Sequence, residues 1–164
     1  MKLALTHIIV VILILLCCPL LIGADYMYWD DNHFATIALA NIQTRDQVRE
    51  GSSSLAIFLN VNVEITADTG TDAQLSHATS GDTLVTEYML TDNGDGINTT
   101  GGTDQTVYTD YATFLSTAYA ITHVADDNDV TVTLHVRASN SAGELGDAGS
   151  YTAMQTLTVH WSGP

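Results

Sequence analysis

Between Leu55 and Ile65 every second residue is apolar: Leu55, Ile57, Leu59, Val61, Val63 and Ile65. The residues between them are mostly polar: Ala56, Phe58, Asn60, Asn62, Glu64 and Thr66. Side chains along a strand point alternately to its two faces, so this run predicts a long strand with one face buried and one largely wet. The same period returns at Val130, Val132, Leu134, Val136 and Ala138, and again at Tyr151, Ala153, Leu157, Val159 and Trp161. Half-buried strands of this kind belong to antiparallel sheets packed face to face. The expected fold is all-β: a single immunoglobulin-like antiparallel β-sandwich with an N-terminal extension.

Strands are expected near residues 55–66, 83–91, 105–109, 112–123, 129–139 and 150–161. The stretches between them, Asp68–Asp72, Asp92–Gly102, Asp126–Asp129 and Asn140–Gly149, carry the Gly, Asp, Asn, Ser and Thr that turns require. Ala112–His123 fits neither the helix period nor the strand period cleanly. Trp161 is expected to close the core. The only prolines are Pro19 and Pro164, so no proline protects an edge strand, and an open edge in a β protein invites pairing with another chain.

Residues 1–24 have the form of a signal peptide. Lys2 supplies a positive start, Ile8–Leu16 is an unbroken apolar run, and Ile22-Gly23-Ala24 precedes a cut at Asp25. The rival reading is an uncleaved membrane anchor, since Leu3–Ile22 approaches the roughly 20 residues that a span needs. Thr6, His7, Pro19 and the small-residue exit favour cleavage. On either reading the rest of the chain leaves the cytosol, and a membrane is touched only through an uncleaved leader. Both cysteines, Cys17 and Cys18, lie inside this segment. The exported domain then has no disulfide, thiolate nucleophile or cysteine-ligated zinc, and its core alone must hold it together.

All 19 acidic residues follow Ala24, against Arg45, Arg49 and Arg137 and no lysine beyond Lys2. Such a surface repels phosphate backbones, which excludes nucleic acid as a partner and suits solubility, cations or a basic partner. Without lysine, fibres cross-linked through lysine isopeptide bonds are excluded as well.

Residues 25–54 read as an N-terminal extension and linker, and residues 55–164 as the sandwich. Within the extension His33–Glu50 admits two readings. Asp31 or Asn32 would cap a helix with Phe34, Ile37, Ala38 and Ile42 on one face. Alternatively Ala35, Ile37 and Leu39 alternate with Thr36, Ala38 and Ala40 in an extended segment. The extended reading is preferred, with Gly51-Ser52-Ser53-Ser54 as a joint before the sandwich.

The final stretch, Asp147-Ala148-Gly149-Ser150-Tyr151 and on through Thr156-Leu157-Thr158-Val159-His160-Trp161, resembles the closing strand of pilin-like β-sandwiches. Spore-coat-protein-U-like and chaperone–usher-type fimbrial subunits carry a similar Ala-Gly-x-Tyr phrase followed by alternation, and camelysin-type fibre proteins are similar in outline. The likeness covers about fifteen residues, 147–161. Many such fimbrial subunits have a disulfide, from which this chain departs. The resemblance implies an extracellular building block and no enzyme.

No catalytic set stands out. Glu50, Glu64, Glu87 and Glu144 are scattered, and there is no Gly-x-Ser-x-Gly elbow. The candidate metal site is the loop Thr91–Asn98, where Asp92, Asn93 and Asp95 offer hard oxygens on a glycine-permitted turn, as calcium requires. The spacing is not that of an EF-hand, and an ordinary solvated turn has the same composition. His135 and His160 would share a transition metal only if their strands were neighbours. Exposed aromatics, among them Tyr26, Tyr28, Trp29, Tyr108, Tyr111 and Tyr119, would stack on sugar rings. Asn98-Thr99-Thr100 is a glycosylation acceptor.

The leading expectation is a structural subunit of a secreted or cell-surface fibre, pilus or coat. Copies of the chain would join as a homopolymer by strand addition, with Phe34, Ala35, Ile37, Leu39 and Ile42 as the donated segment. The alternative is a secreted carbohydrate-binding or calcium-dependent adhesion module.

Overall fold

The computed structural model describes residues 23–141 and 144–163. The leader expected at residues 1–24 lies outside them as far as Ile22. The strands, in chain order, are β1 (Met27–Trp29), β2 (Val48–Leu59), β3 (Asn62–Ala67), β4 (Ser76–His77), β5 (Val85–Asp92), β6 (Gly101–Gly102), β7 (Thr109–Asp110), β8 (Tyr119–Thr122), β9 (Asp129–Ser139), β10 (Tyr151–Thr152) and β11 (Leu157–Gly163). Among the described residues the only helical turn is a 3-10 turn at Thr71–Ala73.

Two antiparallel sheets form the sandwich. The first has the order β1-β2-β9-β5-β7 and the second β11-β3-β8-β6, while β10 and β4 make a small ribbon at the side. The all-β antiparallel sandwich expected from the alternation is the observed fold. The β9 run, Asp129–Ser139, pairs along almost its whole length with β2 on one side and β5 on the other. Central strands flanked in this way bury every second side chain, and Val130, Val132, Leu134, Val136 and Ala138 are all buried.

The run expected as one strand, 55–66, is two. β2 ends at Leu59 in the first sheet, and β3 starts at Asn62 in the second. The alternation survives the crossing, because Ile57, Leu59, Val63 and Ile65 all face the space between the sheets and are fully buried. Two asparagines make the corner. Asn60 accepts the Tyr26 N–H through Oδ1 at 2.7 Å and donates through Nδ2 to the Ala24 carbonyl at 3.2 Å. Asn62 Oδ1 accepts the His123 N–H at 2.9 Å. Asparagine bonds readily to nearby backbone and is depleted in strands, so the break falls where the wet face of the run carries two of them.

Other boundaries move too. β2 begins at Val48, so Gly51–Ser54 is strand paired with β9 rather than a joint. Of the stretch 105–109 only Thr109 joins a ladder, as the first residue of β7. Ala112–His123 is a series of turns followed by the short β8, and it still delivers Phe114, Leu115, Tyr119 and Ile121 to the core. The expected strand 150–161 divides into β10 and β11, which belong to different sheets. Trp161, expected in the core, is 55% exposed. It stands opposite Val63 near the start of β3, on the border strand of its sheet, where the ladder slips between Trp161 and Gly163.

Phe114 fills the core from a loop, with its ring 5.3 Å from that of Tyr88. Replacing Phe114 by Ala should cost about 3–5 kcal/mol in chemical denaturation, since transfer and cavity terms add in a core with no disulfide to hold it.

Candidate functional site

The segment Phe34–Ile42 is extended and not helical, and it lies against its own domain. Phe34, Ile37, Leu39 and Ile42 are half-buried, whereas Ala35, Ala38 and Ala40 are exposed. Phe34, Ile37 and Leu39 pack on the core, and Phe34 meets Trp29 edge-on at 5.7 Å. The place they occupy is made by Gly51. A Cβ there would stand 2.7 Å from Ile37 Cγ2 and 2.9 Å from Leu39 Cδ2, so only glycine leaves room for both side chains. Gly51 and Ser53 continue the inward face of β2 in small residues, which was the legible but missed sign that another segment covers it. Ala35 takes no part in this contact surface.

The backbone of the segment is unusual beside this packing. Among the described residues, none from His33 to Ile42 takes part in a backbone–backbone hydrogen bond. The segment is tied only by side-chain contacts, including Arg49 Nε donating to the Asn41 carbonyl at 3.0 Å. Among the described residues β11 forms the border of its sheet and pairs on one side only, with β3.

The loop after β5 is closed by its own donors. Asp92 points inward. Its Oδ1 accepts the Gly94 N–H, and its Oδ2 accepts the Gly102 N–H, each at 2.7 Å; Oδ2 also accepts the Tyr119 hydroxyl at 2.6 Å. Asn93 turns to β9, accepting the Thr131 N–H at 2.8 Å. Asp95 folds onto its own turn, where the N–H groups of Ile97 and Asn98 hold its carboxyl below the usual carboxylate range. The three residues read as a calcium set thus engage three separate sets of donors. No group of three His, Cys, Asp or Glu side chains close enough to share an ion occurs among the described residues. Gly94 and Gly101 let the two arms of the loop cross, since a Cβ on Gly94 would lie 1.9 Å from the Thr100 carbonyl oxygen. Asn98 is exposed, but the hydroxyl of Thr100, which the acceptor motif needs, is buried and donates to the Asp127 carbonyl.

The histidines do not meet. His135 lies on β9 with Nε2 3.0 Å from Thr91 Oγ1, and His160 lies on β11 with Nε2 3.1 Å from Thr66 Oγ1. They face outward from opposite sheets. Glu87 makes a two-pronged ion pair with Arg137 at 2.8 Å on both prongs, and the guanidinium carbon lies 4.4 Å from the centre of the Tyr108 ring. Tyr119 is in the core and offers no face to a sugar.

Comparison with protein-family models, with curated proteins and with solved structures finds no match.

Asp92→Ala should lower stability by about 2–3 kcal/mol, because it strands inward-facing N–H and O–H donors, while adding calcium or a chelator should leave the melting temperature of the native chain unchanged. Burial pushes the Tyr88 hydroxyl from 10.0 up to about 12, and burial together with Asp92 raises that of Tyr119. Between pH about 10 and 12 the unfolded chain therefore loses protons that the folded chain keeps, so stability is full below pH 10 and falls above it. A Tyr88→Phe, Tyr119→Phe double variant should show a flatter alkaline decline in denaturant titrations.

Proposed function

We propose that the protein is a structural subunit of an extracellular fibre or coat, joined by donation of the segment Phe34–Ile42 to a neighbouring copy. The observation that carries this reading is a segment whose apolar side chains are seated while its backbone bonds are unused. Leaving its own domain would uncover four half-buried side chains, Phe34, Ile37, Leu39 and Ile42, a cost of about 3–6 kcal/mol. Seating the same side chains on a neighbour while pairing with an open strand edge would recover that and add a ladder of hydrogen bonds. β11, bordered on one side only, is the edge we assign as acceptor. The leader-like residues 1–24, the cysteine-free remainder of the chain and the pilin-like phrase at 147–161 support an exported building block. Acidity without lysine keeps unassembled copies soluble and apart.

The test is to lock the segment in place. In an Ile37→Cys, Gly51→Cys variant the sulfur at 37 replaces a side chain whose Cγ2 ends 2.7 Å from the Cβ position of 51, within reach of a bridge, while the free end of Leu39, 2.9 Å from that position, has to turn aside. The only native cysteines, Cys17 and Cys18, lie in the leader. Oxidised protein should stay monomeric in sedimentation and negative-stain microscopy, and reductant should restore assembly. Filaments formed by the fully oxidised variant would overturn strand donation from this segment. A native chain that remains a monomer and is retained on polysaccharide would favour a secreted binding module instead.

A further inference from the structure

The outer face of the first sheet has two unlike ends. At one end Arg137 is paired with Glu87, faces Glu50 by register and is covered by Tyr108. At the other end aromatic rings stand beside carboxylates with no base among them. Tyr28 on β1 lies opposite Phe58 on β2, and Phe58 lies opposite Asp129 on β9, so the three share one row across the outer face. The Tyr28 and Phe58 rings are 5.4 Å apart, and Tyr26 extends the row at 6.0 Å from Tyr28. Tyr28 is 54% exposed and Tyr26 37%. Asp30 follows Tyr28 at the next position of the same parity, with its N–H on the Ala56 carbonyl, and both Asp30 and Asp129 are exposed.

Aromatic faces attract cations through the ring quadrupole, and adjacent carboxylates add Coulomb attraction at the same place. The chain already uses this chemistry once, in the contact of Arg137 with Tyr108 and Glu87. Among the described residues none of the three arginines pairs with the rings or carboxylates of the far end: Arg137 is committed to Glu87 and Tyr108, Arg49 donates to the Asn41 carbonyl, and Arg45 lies in the turn before β2. A second copy offers the same few bases. We infer that the row Tyr26–Tyr28–Phe58, flanked by Asp30 and Asp129, seats a lysine- or arginine-bearing segment of a different protein. Charge complementarity argues for this occupant, since a chain of net charge −15 draws basic partners toward it and this row gives the cation a defined place to rest. The inference stands independently of fibre formation.

Any strongly acidic protein attracts polycations, so the test must separate a seat from diffuse attraction. Binding of a fluorescent oligo-arginine peptide is measured by anisotropy at fixed salt for the native protein and four variants. Tyr28→Ala and Tyr28→Leu keep the net charge, and the Leu variant keeps the apolar cover. Asp129→Asn and Asp72→Asn each remove one negative charge, the first inside the row and the second on the loop after β3. Both Tyr28 variants should bind about two- to fivefold more weakly with unchanged melting curves, and Asp129→Asn should weaken binding more than Asp72→Asn. Native-like affinity in the Tyr28 variants, or equal effects of the two Asp→Asn changes, would overturn the seat and leave diffuse attraction. Retention on neutral polysaccharide or phosphatidylcholine vesicles, with no peptide binding, would overturn it as well.

Discussion

One run of alternating side chains serves two sheets in turn, and the rest of the sandwich is arranged around it. Ile57 and Leu59 close the core from the first sheet, and Val63 and Ile65 close it from the second, although only Asn60 and Val61 separate the two strands. A slip of one residue on either side of the corner would turn an entire face outward. The bonds made by Asn60 and Asn62 therefore do more than fill a turn. They fix the phase between β2 and β3, and with it the opposition of the two layers. No covalent staple reinforces this arrangement among the described residues, so phase and packing carry the whole fold.

The same economy shapes the loop after β5. A carboxylate aimed inward must find donors, and Asp92 finds two backbone N–H groups and a phenol. The composition that suggested a cation site, oxygens on a glycine-rich turn, is the composition a chain needs when it closes a loop on its own amides. Gly94 and Gly101 are present because the two arms touch. Ligand-like residues and loop-closing residues are here chemically the same, and geometry alone separates them.

Where burial was one-sided and continuous, as in Asp129–Ser139, the alternation could be read directly as strand. The corner at Asn60–Val61 was hidden because the pattern does not miss a beat there, and period alone carries no information about which sheet a residue joins. Phe114 and Leu115 sit in turns, so no period announced them. The extended form of Phe34–Ile42 was legible from Ile37 and Leu39, but its place over Gly51 was not, because that contact depends on the absence of a side chain fourteen residues away. The clamp of Arg137, Glu87 and Tyr108 joins residues from three separate stretches and has no local signature. The aromatic row has the same character, since Tyr28 and Phe58 become neighbours only through the register of β1 on β2.

The scarcity of basic residues has a consequence for how the chain can be cut. A protease that cleaves after arginine has three sites among the described residues. Arg137 lies in the middle of β9, between two partner strands and gripped by Glu87, and Arg49 lies within β2. Arg45 alone stands exposed in a turn outside the ladders. Proteolysis of the folded chain by such an enzyme should therefore stop after one nick, which separates the piece that holds β1 and Phe34–Ile42 from the other ten strands. The two pieces would then be joined by side-chain packing, by the hydrogen bonds of Asn60 and Arg49 and by the short pairing of β1 with β2, and by no peptide bond.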